Sequence, residues 1–181
     1  MRGALPRGLV SLARPLNAVV AFAAIAAAAV IAGAGAEDIP RIALAAMAGT
    51  LLGAAGNIVN DVFDADIDRI NKPDRAVASG RVSPRAAAIT AACCAAAGIA
   101  MSIPLGTLAL VIALASAAVM YVYSAWLKRL PLVGNLAVAA VTGAAFVYGA
   151  AAFGNPAAGI VPGLLARGFN LAREVLKDIE E

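Results

Sequence analysis

The run IALAAMAGTLLGAAGNIV, residues 42–59, passes directly into NDVFDADIDRINKPDRAVASGR, residues 60–81. Eighteen residues without a charge are enough to cross the hydrocarbon of a bilayer as a helix. The charged segment behind them marks where the chain leaves the membrane. Outward from this junction the pattern repeats: comparable apolar runs cover 16–36, 86–103, 105–127, 132–153 and 157–176. Turn formers stand between the runs, at Pro40, Asn71 to Asp74, Pro84, Pro104, Pro131 and Asn155-Pro156. The runs lack the strict every-second-residue alternation of barrel strands. The expected fold is therefore all-α, a multi-spanning bundle of about six transmembrane helices forming one domain over residues 1–181.

Composition agrees. The chain is 62% hydrophobic and 14% charged, against about 45–50% and 25% in soluble domains, which excludes a soluble globular protein. Its abundant Ala and 17 Gly suit close packing of helices in lipid. There is no His, which removes imidazole acid–base chemistry and His-ligated metal. Cys93 and Cys94 are adjacent inside an apolar run and read as packing residues, being too few for a zinc site or a disulfide framework. Residues 1–36 have the basic start and small-residue end of a signal peptide. The apolar part is longer than such peptides carry and five similar runs follow, so it reads as the first span.

The charges set the orientation. With six spans, Arg2, Arg7, Arg14, Arg69, Lys72, Arg75, Arg81, Arg85, Lys128, Arg129, Arg167, Arg173 and Lys177 fall on one side, and Arg41 alone on the other. Under the positive-inside rule this places the N-terminus and the acidic stretch on the cytoplasmic side of the cell membrane. It also disposes of nucleic acid as a partner, because the basic residues are scattered through short loops as orientation signals and phosphate ligands.

At about 100° per residue, with Asn60 at zero, Asp64 falls near 40°, Asp68 near 80° and Asp61 near 100°, while Asp66 falls near 240° on the far side. Four oxygen-bearing side chains thus share one face. Such a row suits Mg²⁺, which takes one or two carboxylates, several waters and substrate phosphate oxygens. A Ca²⁺ loop of the EF-hand type is excluded by the missing Gly and Glu at its sixth and twelfth positions. The plainer alternative is a solvated acidic helix end, which the helix dipole does not favour at a C-terminus. Lys72, Arg75 and Arg81 follow at once; they suit a diphosphate held between metal and guanidinium, or serve simply as membrane anchors. Near the C-terminus Arg167, Asn170, Glu174, Lys177, Asp178 and Glu181 lie within about 100° of one another, with Arg173 facing away. Two acidic helix ends on one side of a bundle can hold two metal ions around a single diphosphate.

The pattern Asn60-Asp61-x-x-Asp64-x-x-x-Asp68, followed by Asn71-Lys72-Pro73-Asp74-Arg75 and Ser79-Gly80, resembles the first aspartate-rich motif of the UbiA superfamily of intramembrane prenyltransferases. Arg14-Pro15-Leu16-Asn17, Tyr123-Ser124 with Leu127-Lys128-Arg129, Pro131-Leu132 with Gly134-Asn135, Thr142-Gly143, and Arg173-Glu174 with Lys177-Asp178 extend the resemblance along the chain. It is most similar to the archaeal ether-lipid branch of that family.

The resemblance implies Mg²⁺ held by Asn60, Asp61, Asp64 and Asp68 on one side and by Asp178 and Glu181 on the other. It implies a prenyl diphosphate whose leaving group Arg75 and Lys128 neutralise, and substrate contacts from Arg14, Asn17, Lys72, Arg81 and Lys177. Tyr123 would steady an allylic cation through its ring face, or sit as an interfacial belt tyrosine. The implied acceptor is membrane-associated, the hydroxyl of geranylgeranylglyceryl phosphate. The alternatives are an aromatic acceptor of quinone-type synthesis, or a membrane remnant without turnover. The family has nine helices, so the resemblance implies three more beyond Glu181, which stands where an Asp is usual. Two other classes fit less well: the aspartate order of a CDP-alcohol phosphotransferase is missing, and a transporter would carry its charges near the midplane.

Overall fold

The computed structural model describes Gly8, residues 11–130 and residues 132–180, the last seven of these as backbone only. Among them the α-helices are α1 (Pro15–Ile31), α2 (Ile39–Phe63), α3 (Ala65–Asn71), α4 (Pro84–Ser102), α5 (Thr107–Ala125), α6 (Val133–Ala151) and α7 (Ile160–Glu180). Short 3-10 turns at Ala36–Asp38, Ile103–Leu105, Leu127–Arg129 and Pro156–Gly159 join them. The all-α expectation holds.

Among the described residues four helices are long and apolar enough to cross a membrane: Ala36–Phe63, Pro84–Leu105, Thr107–Ala125 and Val133–Ala151. Helix α1 is apolar but only 17 residues long, about 26 Å at 1.5 Å per residue, the short end of the spanning range. It stops five residues before the apolar run 16–36 does. Gly33 takes φ +106°, and the Ala34 amide reaches back to the Ala29 carbonyl at 3.0 Å, a left-handed C-terminal close that glycine permits. At the other extreme, α2 continues through Asn60 to Phe63, beyond its apolar run. Helix α4 opens on a designed-looking start, with Ser83 Oγ accepting from the Ala86 amide at 3.2 Å and Pro84 in the first turn.

Helix α2 packs against α1, α4 and α5, and α6 packs against α1, α5 and α7. The side-chain pattern is that of a lipid-facing bundle. Ala28, Ala45, Ala46, Ala48, Ala109 and Ala113 are buried, whereas Leu16, Ile89, Val161 and Phe169 are among the large apolar side chains facing outward. Small residues let backbones approach. A Cβ on Gly98 would stand 2.8 Å from the Ala48 carbonyl of α2, and one on Gly149 would stand 2.5 Å from the Ile25 carbonyl of α1.

The end of the bundle away from the acidic stretch is tied by Tyr148 and Arg41. Tyr148 of α6 and Ser102 of α4 share a buried hydrogen bond of 2.8 Å. Ser102 Oγ donates to the Gly98 carbonyl at 2.8 Å, so the tyrosine hydroxyl is the donor between them. Arg41, near the start of α2, donates to the Ala152 carbonyl at 2.8 Å and to the Leu105 carbonyl at 3.1 Å, and its guanidinium lies 5.7 Å from the Phe153 ring centroid. A cation is thus placed on orphan carbonyls at helix ends, where the dipole favours it. Arg41→Met is expected to lower stability by about 2 kcal/mol, read as a lower Tm in detergent, with ligand binding at the opposite end retained.

Candidate functional site at the polar end

At the other end of the bundle the chain bends at Asp64. Its φ of −93° and ψ of 4° separate α2 from α3, so 60–68 is a kinked pair of helices, not the single straight helix its spacing suggests. The i to i−4 ladder nevertheless survives the bend: Asp64 N–H reaches Asn60 O at 2.9 Å and Asp68 N–H reaches Asp64 O at 2.8 Å. The residues therefore keep nearly helical phase. Asp61 and Asp68 are buried, whereas the Asp66 side chain is 93% exposed and pairs with Arg69.

Each carboxylate of the row meets a cation brought from elsewhere in the chain. Arg14, just ahead of α1, donates to Asp61 Oδ1 at 2.6 Å and to Asn57 Oδ1 at 3.4 Å. Arg75, from the loop after α3, lies 3.2 Å from Asp61 and 2.6 Å from Asp68. Lys128, from the turn after α5, pairs with Asp64 and stands 5.8 Å from the Phe63 ring centroid. Asn60 donates its amide to Asp64 Oδ2 at 2.8 Å. That leaves its Oδ1 buried without a partner.

Arg14 holds a left-handed backbone, φ +48°, and it precedes a proline, which ordinarily pushes a residue to extended conformations. Such strain costs of order 1–3 kcal/mol and persists where surrounding contacts dictate it. Here the contacts are its bonds to Asp61 and Asn57.

The loop from Lys72 to Ser83 is built from beneath. Ala76, Val77 and Val82 are buried with Leu12, Ile58 and Ala87 in one apolar cluster, and the Val82 amide closes on the Ala76 carbonyl at 3.0 Å. Above it Arg81 donates to Ser79 Oγ at 3.0 Å and to the Asp74 carbonyl.

The remaining expected residues are placed less centrally. Tyr123 is half-buried, and its ring would be 3.4 Å from a Cβ on Gly134, which puts it at the crossing of α5 and α6. The ring against the Lys128 cation is that of Phe63. Asn17 is exposed on α1 and its side chain makes no hydrogen bond to the row among the described residues. Lys177, Asp178 and Glu181 lie outside the residues whose side chains are described. Asn57 and Phe63 belong to the constellation without having been singled out in the sequence. Asn57 had a signal: it is a polar residue in an apolar run, one turn before Asp61.

The donor set suits a hard divalent cation. An orphaned buried amide oxygen and three carboxylates line one strip, and among the described residues no three acidic groups converge on a single point. That fits Mg²⁺ completing its octahedron with water and phosphate oxygens, and not an all-protein cage.

The sequence profile of the UbiA prenyltransferase family matches residues 19–175. The chain belongs to this family. Digeranylgeranylglyceryl phosphate synthase from Methanopyrus kandleri is 41% identical over 175 residues, covering 97% of this chain and 64% of that protein. The enzyme of the same name from Halobacterium salinarum is 44% identical over 176 residues, 97% of this chain and 63% of its own. A solved structure from work on digeranylgeranylglyceryl phosphate synthase in membranes superimposes with a TM-score of 0.84 at 29% identity, covering 97% of this chain and 63% of that one. The chain thus spans a little under two-thirds of the length of these relatives. Its apolar helices and its family make it a multi-pass membrane protein.

Proposed function

We propose that this chain forms the diphosphate-binding part of a Mg²⁺-dependent membrane prenyltransferase. It moves a geranylgeranyl group from its diphosphate to the free hydroxyl of geranylgeranylglyceryl phosphate, as in archaeal ether-lipid synthesis. The observation that carries the reading is the acid row. Asp61, Asp64 and Asp68 sit at one end of an apolar bundle, each matched to a cation from a different segment, beside the unpartnered Asn60 oxygen. The names of the relatives supply the substrate class.

Asn60, Asp61, Asp64 and Asp68 would hold the metal, with Asp178 and Glu181 supplying the second half of the clamp. Bound Mg²⁺ neutralises charge gathering on the departing diphosphate. The chain's own part is electrostatic and steric. Arg75 and Lys128, already beside the carboxylates, turn N–H donors toward the leaving oxygens as the allylic C–O bond breaks, where preorganised donors act most strongly. The Ala-lined bundle excludes water from the allylic carbocation, so the acceptor hydroxyl captures it and releases its proton. The cytoplasmic face of the cell membrane is the side assigned to this end by the excess of Lys and Arg.

The test is a transfer assay in membranes with radiolabelled geranylgeranyl diphosphate, with Mg²⁺ or EDTA, offering geranylgeranylglyceryl phosphate or 4-hydroxybenzoate. Labelled ether lipid that disappears in EDTA is the expected outcome. Product with the aromatic acceptor alone overturns the lipid assignment.

A further inference from the structure

On the flank of the acid row a cavity of about 510 Å³ opens between the N-terminal segment and the loop after α3. Arg14, Lys72, Arg75 and Arg81 line it against Asp61 and Asp74, while Asn60, Asp64 and Lys128 stand outside it. Asp68 lies outside the lining but holds Arg75 at 2.6 Å, so four positive groups meet three negative ones and one positive charge is left over. Asp61 is already satisfied by Arg14 at 2.6 Å and Arg75 at 3.2 Å. The Lys72 ammonium makes no hydrogen bond or ion pair among the described residues, and Arg81 spends only part of its guanidinium on Ser79 and the Asp74 carbonyl.

A phosphate monoester carries about −1.5 to −2 at neutral pH and offers three strong acceptor oxygens. The surplus, with the uncommitted donors of Lys72 and Arg81, can hold it without any metal, and guanidinium and ammonium groups are its usual partners. A diphosphate brings more charge and needs oxygen ligands for its metal. Those are Asn60, Asp61, Asp64 and Asp68, of which Asp61 alone borders the cavity.

We infer that this cavity is a separate seat for the phosphate monoester of the acceptor lipid, with Lys72 and Arg81 as its main specificity-determining contacts. The inference rests on the prenyl-transfer reading, in which the acceptor enters with a phosphate that the reaction leaves untouched. It divides the basic residues after the acid row between two substrates. The apolar cluster beneath the loop, with Val82 and Leu12 fully buried, holds the seat in place before a ligand arrives, which keeps the ordering cost of binding low.

The experiment is equilibrium binding to the full-length protein in nanodiscs. The probes are radiolabelled geranylgeranylglyceryl phosphate, the same lipid without its phosphate, and geranylgeranyl thiolodiphosphate with Mg²⁺. Lys72→Ala and Arg81→Ala are each expected to weaken the phosphate-bearing lipid by about 10-fold or more, the loss of a charged hydrogen bond. Binding of the dephosphorylated lipid and of the thiolodiphosphate should not change. Arg85→Ala, which removes an exposed cation at the start of α4 outside the cavity, should change none of the three. The Lys72 ammonium has no partner to lose among the described residues, so its variant folds. Equal or greater loss of the thiolodiphosphate overturns the assignment, as does failure of the wild type to hold the phosphate-bearing lipid. Displacement by inorganic phosphate as effective as by the lipid itself also overturns it, in favour of a free-phosphate site. The underlying prenyl-transfer reading fails on a different arm, where the wild type shows no Mg²⁺-dependent binding of the thiolodiphosphate.

Discussion

Asp64→Ala and Asp68→Ala are each expected to lower prenyl transfer roughly 10³-fold, the scale of removing one preorganised electrostatic group, while Asp66→Ala keeps most of the wild-type rate. The three aspartates lie within five residues of one another, so composition and local charge do not separate them; orientation does. Asp68 is buried against Arg75 at 2.6 Å, and Asp64 receives Asn60 and Lys128. Asp66 points into solvent and holds only Arg69, a surface pair of the kind that contributes little. Measured rates in membranes, with protein abundance checked by immunoblot, decide the matter. Equal loss at Asp66 would sink the claim that one face of the row does the chemistry. Asp68→Asn sharpens it: the amide preserves volume but not charge, so an activity near the alanine variant's assigns the effect to the carboxylate.

Much of this was legible in the order of residues. Apolar runs bounded by Pro and Gly give the helices, because a backbone in lipid must satisfy its own hydrogen bonds and helices do so locally. The position of Asp66 opposite Asp61, Asp64 and Asp68 follows from the helical period alone and survives the kink at Asp64, since the i to i−4 bonds continue across it. What was not legible is which cation meets which acid. Arg14 and Asp61 are 47 residues apart, and Lys128 and Asp64 are 64 apart. Such pairings depend on how α1, α2 and α5 cross, which depends in turn on where glycines allow backbones to touch. Helix ends were also blurred: α1 stops at Ile31 because Gly33 turns left-handed, an event that hydropathy does not register. The role of Asn57 is not legible in the sequence, because a single amide in an apolar run looks like a tolerated polar residue until Arg14 is placed beside it.

Arg75→Met is expected to cost about 3 kcal/mol of stability in EDTA, since removing one partner of a buried pair leaves an uncompensated charge. Arg75 touches both Asp61 and Asp68, whose side chains are only 5% and 7% exposed. Methionine fills the space of the stem and supplies no charge, so two buried carboxylates lose a shared counter-ion while Arg14 remains with Asp61 alone. The change should appear as a fall in Tm of roughly 5–10 °C. The same loss creates a diagnostic. If Asp61 and Asp68 are metal ligands, Mg²⁺ with geranylgeranyl thiolodiphosphate restores the missing positive charge. Ligation to the folded state stabilises by RT ln(1 + [L]/Kd). In the wild type the incoming cation must compete with a guanidinium already seated between the two acids, whereas in Arg75→Met it enters an acidic gap with no rival. The metal-induced rise in Tm should therefore be larger in the variant than in the wild type, even though the variant transfers prenyl groups poorly. A rise of the same size in both proteins would mean that Asp61 and Asp68 are structural anchors for Arg75, with the metal held elsewhere.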